Sequence, residues 1–336
     1  MQYNRFHEAY LDILKDIYYN PQFFNAPRGN RSREKLNVNF TITNPIERVC
    51  YIPSRKTNII FNFAEVLWYL SSSNRLDFIS YYAKNMVKYS MDGKTLTGTA
   101  YGPKIFEFGN AKINQWQQIK DLLLNKDPDS KRAFMQIFDA SELVITDNID
   151  VSCTIGLQFF IREKKLYMAS YMRANDAFRG MVSDVFSFTF IQEMMAKDLG
   201  VELGEYFHNV GSAHIYESDE EKAKKVLYEA NNKTQNLNPE LSFPKLPDGN
   251  NWPFIEIVLE HEALLRKDLI RLNLDNIEQL RIPEYWKQVL MLFSLYQQIT
   301  YHRPIDMELY DSLYPVYQFF VANKWPELFA TVTSEL

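Results

Sequence analysis

The stretch Asp150-Val-Ser-Cys-Thr-Ile-Gly-Leu-Gln-Phe-Phe160 and the residues just after it decide the fold. Residues 155–161 and 166–171 are rich in apolar, β-branched and aromatic side chains, and the charged loop 162–165 separates them. This pattern predicts a β-hairpin. Cys153 therefore lies at the edge of a predicted strand. Taken alone, a cysteine in this position is more often a small buried hydrophobe than a reactive thiol, so its neighbours must decide between the two.

Helices and strands are predicted on both sides of this hairpin. Helices are predicted over about 5–19, 63–70, 115–125, 182–199, 254–268, 284–300 and 306–322, and strands over 38–42 and 133–138, with a mixed segment at 207–215. This order predicts an α+β fold, in which a large mixed sheet is covered by helices. Residues 238–253, rich in Pro, Asn and Gly, predict a boundary between a catalytic domain (1–250) and a helical C-terminal extension (251–336) packed on it.

The composition excludes several classes of function. The chain has 336 residues, of which 46% are apolar and 24% charged, as in a soluble globular protein. Its net charge of −5 provides no global attraction for nucleic acid or an anionic membrane, and no apolar run reaches the ~20 residues of a membrane span. Two cysteines and no signal-peptide pattern favour a reducing cytoplasm, and the spacing of Cys and His predicts no structural metal site.

Several motifs occur in a fixed order around Cys153. They are Ala-Glu65-Val-Leu-Trp68, Tyr101-Gly102, Asp127-Pro-Asp-Ser-Lys131-Arg132, Tyr171-Met-Arg173-Ala174-Asn-Asp176-Ala-Phe-Arg-Gly180-Met-Val-Ser-Asp184 and His208-Asn-Val-Gly211-Ser-Ala-His214-Ile-Tyr216. Each motif is weak by itself. Together, over about residues 28–220, they resemble the thymidylate synthases and their nucleotide hydroxymethylase relatives. The resemblance implies a thymidylate synthase-like fold and an enzyme that uses 5,10-methylenetetrahydrofolate as co-substrate, without a metal.

The chemistry of such enzymes explains the residue types. The C5 atom of a pyrimidine is a poor nucleophile, and addition of a thiolate at C6 makes C5 carbanion-like. The resemblance makes Cys153 this nucleophile, with Glu65 organising water and proton transfer near the base and Tyr101 completing the catalytic group. Because a free cysteine is mostly protonated at neutral pH, we expect nearby arginines to favour the thiolate.

The resemblance also implies binding roles for other side chains. Arg28 and Arg173 match phosphate ligands of the same subunit, although Arg31 or Arg33 could serve in place of Arg28. Lys131 and Arg132 match phosphate ligands that the second subunit supplies, which implies an obligate homodimer with shared sites. His214 and Tyr216 match residues that bind the ribose, and Gln158 and Ala174 match residues of the substrate pocket. The matches for the folate are Asp176, Gly180 and Lys56.

Asp184 departs from the thymidylate synthase pattern, which has Asn at this position to read uracil. An ionised carboxylate facing the O4 atom of uracil would set acceptor against acceptor, at a cost of ~1–3 kcal/mol. A carboxyl group that carries or shares a proton can donate to N3 of cytosine and accept from its 4-amino group. Asp184 therefore indicates cytosine recognition. The alternative is that Asp184 only caps the helix that follows, since Asp is a good N-cap.

Two further departures, Ala174 and Lys131, favour a ribonucleotide, and a third, at Thr154 and Ser212, makes uracil methylation less likely. Ala174 replaces a phosphate-binding Ser and Lys131 replaces the usual Arg, as in the CMP 5-hydroxymethylases that the chain resembles. Thr154 and Ser212 stand where thymidylate synthases have His and Asp. We expect 5-hydroxymethyl-CMP as product, formed by water addition with tetrahydrofolate left intact. The alternatives are a dCMP hydroxymethylase, a dUMP-methylating thymidylate synthase and, from another class, a non-catalytic nucleotide- or RNA-binding relative.

Overall fold

The computed structural model describes residues 1–232 and 241–329. Residues 238–240 of the predicted domain boundary and residues 330–336 of the predicted extension lie outside these described residues.

Seven strands form one mixed sheet. Its strand order is β1-β3-β7-β6-β5-β4, with β2 paired to β3, and β6 and β7 run parallel whereas β5 and β6 run antiparallel. The strands are β1 (Gln2–Tyr3), β2 (Phe23–Asn25), β3 (Ser32–Ile42), β4 (Phe134–Gln136), β5 (Thr154–Arg162), β6 (Lys165–Asp176) and β7 (Glu202–Tyr216). The predicted α+β fold with a large mixed sheet is confirmed.

The predicted hairpin is formed by β5 and β6, and it places Cys153 next to Arg173. The hairpin closes where Arg162 pairs with Lys165, and its register shifts at a bulge between Thr154 and Gly156, at the end where β5 begins. The amide of Arg173 donates to the Cys153 carbonyl at 2.9 Å. Cys153 therefore lies just before a strand, at a bulge that interrupts the regular pairing.

The strand β7 is one continuous strand, although the sequence predicted a mixed segment with a turn at Gly211. Gly211 fits within the strand because it permits close approach to β6: a Cβ here would lie 2.9 Å from the Arg173 carbonyl oxygen. A glycine in a strand can therefore mark tight contact between backbones and need not mark a turn. This contact brings His214 into register with Asp176.

Twelve α-helices are described in residues 1–232 and 241–329. They are α1 (Phe6–Tyr19), α2 (Ile59–Leu70), α3 (Leu76–Tyr82), α4 (Tyr101–Phe106), α5 (Gln115–Asp121), α6 (Met181–Leu199), α7 (Glu220–Asn232), α8 (Trp252–Arg266), α9 (Leu274–Glu278), α10 (Glu284–Thr300), α11 (Met307–Asp311) and α12 (Pro315–Lys324). The helix predicted over 306–322 is thus two helices, because Pro315 occupies the start of a new helix. The helix predicted over 115–125 ends in a π-helical turn at Leu122–Lys126.

The helices α2 and α6 lie at the centre of the core, and the C-terminal helices share that core. On α2, Phe63 contacts Phe186 of α6 (ring centroids 5.2 Å apart), Tyr285 of α10 (6.2 Å) and Tyr317 of α12 (5.6 Å). Burial of such large rings removes much apolar surface from water. The residues after 251 therefore pack on the helices that carry Glu65 and Asp184.

One face of the sheet is buried by these helices, and the other carries a groove. Along β7 the side chains of Tyr206, His208 and Val210 are buried, whereas the intervening Phe207 and Asn209 are half-buried and line the groove. In the described part of the chain, no helix is both long and apolar enough to cross a membrane. Within those same residues, no group of three or more His, Cys, Asp or Glu side chains could hold a metal ion.

Candidate active site

The loop that carries Cys153 is held by buried carboxylates. The Asp150 carboxylate accepts from the backbone amides of Thr97 and Gly98 at 2.8 and 2.9 Å, and Glu142 accepts from the Ser152 amide at 2.6 Å. Gly98 is needed here, since a Cβ would lie 1.9 Å from the Asp150 carbonyl oxygen. The backbone before Cys153 is therefore fixed by charge-assisted hydrogen bonds.

Arg173 is the cation next to the thiol. Its guanidinium donates to the carbonyls of Ser152 (2.8 Å) and Val151 (2.9 Å) and lies 3.8 Å from Cys153 Sγ. Burial nonetheless raises the pKa of the Cys153 thiol, while Arg173 and then Arg28 act to lower it. The two arginines thus act in the expected direction and favour the thiolate, but burial of the thiol outweighs them.

Glu65 is a buried acid on α2. It is 7% exposed, and the hydroxyl of Ser187 on α6 donates to Oε2 at 3.3 Å. Burial, followed by the charge of Asp184, raises the pKa of Glu65 to about 8. A carboxyl group with this pKa can hold or release a proton near neutral pH, as a general acid or base requires.

Asp184 lies in the first turn of α6 and faces the same region. The Asn175 side-chain amide donates to Asp184 Oδ2 at 2.7 Å. Burial is the largest effect on the pKa of Asp184 and raises it to about 7. Gly180 is the N-cap of α6, which has no side-chain cap, so Asp184 does not cap the helix. The capping alternative is therefore wrong.

Tyr101 is buried beside these groups. Its hydroxyl accepts from Thr154 Oγ1 at 3.0 Å, and its ring stacks on Tyr69 with centroids 4.8 Å apart. Burial and the charge of Asp184 raise the pKa of Tyr101 well above its usual value. Tyr101 therefore stays protonated and is available as a donor. Thr154, noted in the sequence as a departure, directly contacts this predicted catalytic tyrosine.

Asp176 has one oxygen that makes no hydrogen bond among the described residues. Its Oδ1 accepts from the amides of Phe178 and Arg179, both at 2.8 Å. Its Oδ2 is buried without a hydrogen-bond partner, and it lies 3.8 Å from the Arg179 guanidinium, which is held more closely by Asp219 at 2.5 Å. A buried acceptor without a partner costs free energy, so this atom fits a site that a donor completes, such as a pterin. Burial also raises the pKa of Asp176.

The side chains predicted to bind sugar line up along the end of β7. His214 and Tyr216 are half-buried and contact each other edge to face, with ring centroids 4.9 Å apart. Ala174 on β6 pairs with Ser212 on β7. The Ser212 hydroxyl donates to Glu34 Oε1 at 2.5 Å. The structure thus brings His214 and Tyr216 together and commits Ser212 to β3.

Of the three candidate phosphate arginines near the N-terminus, Arg28 is the best placed. Its charge acts on Cys153 and on Tyr216. Arg33 is instead paired with Glu220 at 2.7 Å, and Arg31 lines a separate cavity beside Phe24 and Glu217. Arg28 has a positive φ of 51° within a 3₁₀ turn. Such a conformation is uncommon for a residue with a side chain.

Lys131, Arg132 and Gln158 form a separate group. Gln158 donates to the Lys131 carbonyl at 2.9 Å and accepts from the Tyr171 hydroxyl at 3.1 Å, on the sheet face that carries the groove. The side chains of Lys131 and Arg132 are exposed. The cations that act on Cys153 are Arg173 and Arg28, and Lys131 and Arg132 are not among them. The substrate-binding role of Gln158 stays a prediction.

Lys56 and Gly180, the other two residues predicted to bind folate, differ in their surroundings. Lys56 is exposed after the turn Pro53–Arg55, and burial, followed by the charges of Arg55 and Lys56, lowers the pKa of Lys324 on α12. Gly180 lies against Asp184, since a Cβ there would be 3.1 Å from Asp184 Oδ2.

The sequence did not reveal a buried polar chain behind Asp184. Asn175 Oδ1 lies 3.0 Å from His208 Nε2, and His208 Nδ1 lies 2.6 Å from the hydroxyl of Tyr206 and 3.0 Å from that of Ser170. Asn175 and His208 are in the motifs that suggested the family, but they carried no predicted role. Only the pairing of β6 with β7 brings them together.

Comparison with known proteins agrees with the predicted fold. A family model described as thymidylate synthase matches residues 8–258. Because this match covers most of the chain, the protein belongs to the thymidylate synthase family.

The relatives carry two kinds of name. The chain is similar to proteins named deoxyuridylate hydroxymethyltransferase from Bacillus phage SP01 (31% identity over 63% of this chain and 57% of the relative) and Delftia phage PhiW-14 (34% over 60% and 57%). It is also similar to a thymidylate synthase of Buchnera aphidicola subsp. Schizaphis graminum (26% over 71% and 89%). The chain thus spans a little over half the length of the two phage relatives.

Proposed function

We propose that this protein hydroxymethylates C5 of a cytosine nucleotide, with CMP as the preferred substrate and 5-hydroxymethyl-CMP as product. The observation that carries the proposal is the selecting acid. Asp184 is bonded by an amide donor, and its pKa is raised to about 7. At neutral pH it can therefore supply the proton that N3 of cytosine needs and still accept from the 4-amino group.

The reaction would begin at the thiol. Cys153 loses its proton and its sulfur forms a bond to C6, while the electrons of the C5–C6 double bond move toward the ring edge that meets Asp184. The Asp184 proton on N3 stabilises this charge. A bound substrate phosphate would lie near Arg173 and Arg28, the cations that already act on the sulfur.

When bound, methylenetetrahydrofolate supplies a one-carbon group at the oxidation level of formaldehyde. Asp176 Oδ2 would hold its pterin and Lys56 its anionic tail, as the buried acceptor and the exposed cation suit. Once C5 has bonded to that one-carbon group, loss of the C5 proton and breakage of the bond to the folate nitrogen would release tetrahydrofolate and leave a methylene group on C5.

Water then completes the product. Glu65, with its pKa raised to about 8, would orient a water molecule toward that methylene. The water oxygen bonds to the methylene carbon and loses a proton, the C5–C6 double bond re-forms, and the C6–S bond breaks to return the Cys153 thiolate. The sum is CMP, methylenetetrahydrofolate and water converted to 5-hydroxymethyl-CMP and tetrahydrofolate.

Two other substrates, a uracil nucleotide and deoxycytidylate, can also be argued for. The phage relatives are named for hydroxymethylation of deoxyuridylate, which favours a uracil nucleotide. The side chain at position 184 opposes this, because an ionised carboxylate repels O4 of uracil. Deoxycytidylate would satisfy Asp184 equally well. Ala174, which replaces a larger phosphate ligand in the resemblance, supports the ribonucleotide.

Turnover of four nucleotides tests the proposal. CMP, dCMP, UMP and dUMP, each tritiated at C5, are incubated with enzyme and methylenetetrahydrofolate, and tritium release is measured together with dihydrofolate absorbance. We expect release from CMP first, without dihydrofolate. Cys153→Ala should abolish release and Cys50→Ala, a matched buried thiol, should retain it. Release from uracil nucleotides alone would contradict the proposal, and activity of Cys153→Ala would favour a non-catalytic binding role for the site.

We also propose that the active protein is a homodimer with shared sites. Lys131 and Arg132 are exposed beside the grooved sheet face, apart from the cations that act on Cys153 in the same chain. In a dimer built on that face they could reach the partner's phosphate. Mixing inactive Cys153→Ala with inactive Arg132→Ala subunits should restore partial activity. No restoration would contradict shared sites.

A further inference from the structure

The acid that reads the base is held by a polar chain with a fixed direction. An ionised Asp184 can only accept, so the group of Asn175 that faces Oδ2 must be its NH₂, at 2.7 Å. Asn175 Oδ1 then faces His208, which must donate from Nε2 at 3.0 Å. His208 Nδ1 is left as an acceptor for the Tyr206 hydroxyl at 2.6 Å.

This series of hydrogen bonds keeps its donor-to-acceptor direction over the working pH range. Burial lowers the pKa of His208 to about 3, so the imidazole stays neutral and carries one proton, on Nε2. Asn175 is 3% exposed and His208 is fully buried, so water does not compete for these bonds. The Tyr206 hydroxyl in turn lies 2.8 Å from Ser170 Oγ, which can donate to it.

The direction has a consequence for Asp184. Oδ2 accepts permanently from Asn175, and a carbonyl-type oxygen accepts better than a hydroxyl oxygen. When Asp184 is protonated, its proton is therefore favoured on Oδ1, which makes no hydrogen bond among the described residues. The carboxyl group then presents one donor (Oδ1–H) and one remaining acceptor (on Oδ2) in a set order.

We propose that Asn175, oriented by His208, fixes which oxygen of Asp184 carries the proton and thereby sets the choice between cytosine and uracil. With Oδ1 toward N3, the donor and acceptor match N3 and the 4-amino group of cytosine. Uracil would then place N3–H against Oδ1–H and O4 against Oδ2. A reversed Asn175 amide would turn its oxygen toward Oδ2 and draw the proton there, which leaves Oδ1 as an acceptor that suits N3–H of uracil and no longer supplies a proton to N3 of cytosine. The inference rests on the proposed reading of the base by Asp184, and it makes Asn175 a positioning residue.

Several ionisable groups interact electrostatically with Asp184. The charge of Asp176 on β6 raises the pKa of Asp184, after burial. The charge of Asp184 in turn acts to raise the pKa of five groups, in each case after burial: Glu65 and Tyr69 on α2, Tyr101 on α4, Tyr206 on β7 and the Cys153 thiol. The bond from Asn175 favours the ionised form of Asp184, so its loss raises the pKa of this carboxyl group. Cytosine binding requires the proton and weakens as pH rises through that pKa. Without Asn175, the weakening should occur at higher pH.

Equilibrium binding of CMP and UMP between pH 6 and 9 tests the inference with the full chain. Wild type is compared with Asn175→Ala, with His208→Phe and with Asn251→Ala, which removes a similarly buried asparagine that bonds Trp286 far from the site. We expect Asn175→Ala to lower the preference for CMP over UMP about tenfold, the worth of one buried hydrogen bond, and to shift the alkaline loss of CMP binding to higher pH. Asn251→Ala should do neither.

His208→Phe gives a second route should Asn175→Ala fold poorly. It leaves Asn175 in place but frees its amide to reverse, so it should lower the preference for CMP in the same direction. In an Asp184→Asn background, which cannot titrate, Asn175→Ala should leave the pH dependence unchanged. The inference is overturned if Asn175→Ala and His208→Phe both keep the wild-type preference and pH dependence. Tighter UMP binding by wild type would instead contradict the proposed substrate, whereas the shift of the pH dependence still decides the role of Asn175.

Discussion

The helix α6 carries one buried acid, Glu193, and one half-buried acid, Asp184, which are treated in opposite ways. Glu193, 2% exposed in the middle of the helix, accepts from the Arg48 guanidinium and from the Leu246 amide at 2.8 Å. Asp184, in the first turn, receives one amide hydrogen bond and no ion pair within the described residues, and its pKa is raised to about 7. The fold thus neutralises the charge of Glu193 with Arg48 and leaves Asp184 able to hold a proton.

This difference separates a structural charge from a chemical one. A buried carboxylate with a matched cation stays ionised and rigid, whereas one without a cation moves its pKa toward neutrality. Glu65 belongs with Asp184, since its pKa is raised to about 8. Acids of this kind cluster at functional sites because proton transfer needs them.

The largest expected effect comes from breaking the structural pair. Glu193→Gln would leave the fully buried Arg48 guanidinium without its counter-charge, and should lower the free energy of unfolding by ~3–5 kcal/mol. Urea denaturation at pH 7 measures the change. The double variant Arg48→Met/Glu193→Leu should recover much of the loss, because it removes both charges. Unchanged stability in Glu193→Gln would contradict the role given to the pair.

The next effect is on chemistry. Glu65→Gln should lower kcat by about a hundredfold or more, since the group that orients water can no longer take up a proton. The same substitution should also change how stability depends on pH. Because the pKa of Glu65 is about 8 in the folded protein and ordinarily 4.5, the wild-type protein loses stability as pH rises between these values. Glu65→Gln should therefore be relatively more stable at pH 8 than at pH 5, as measured by thermal unfolding. An active Glu65→Gln enzyme would exclude this role for Glu65.

The smallest effect is expected at Asp184. Its pKa of about 7 in the folded protein lies above its ordinary value of 3.8, so its ionisation also costs stability as pH rises through this range. Asp184→Asn should gain ~1–2 kcal/mol at pH 8 relative to wild type, allowing for its partial exposure, and little at pH 4. Chemical denaturation at the two pH values measures the gain. A loss of stability at pH 8 would mean that the Asp184 charge is compensated like that of Glu193.

Much of the fold and of the site could be predicted from sequence. The β5–β6 hairpin, the helix of α6 and the grouping of Cys153, Glu65 and Asp184 follow from periodicity or from the motif resemblance. The length of β7 could not be predicted in this way, because Gly211 suggested a turn. Only the close contact with β6 explains why a glycine stands within this strand.

The electrostatics of the site could not be predicted in the same way. The pKa of Cys153 depends on how far burial outweighs Arg173 and Arg28, which spacing does not determine. Asn175 is nine positions before Asp184, and His208 is on another strand. Their contact requires the end of β6, the start of α6 and the register of β7 together.

The central claim, that the sulfur of residue 153 adds to a cytosine ring chosen by Asp184, can be tested by trapping the adduct. Enzyme is incubated with methylenetetrahydrofolate and either 5-fluoro-CMP or 5-fluoro-UMP, in which fluorine replaces the C5 hydrogen whose loss the reaction needs, and its peptides are analysed by mass spectrometry. The account predicts a nucleotide adduct on Cys153 with 5-fluoro-CMP, none on Cys50, and little adduct with 5-fluoro-UMP. An adduct formed with 5-fluoro-UMP alone, or none on Cys153 with either nucleotide, would contradict it.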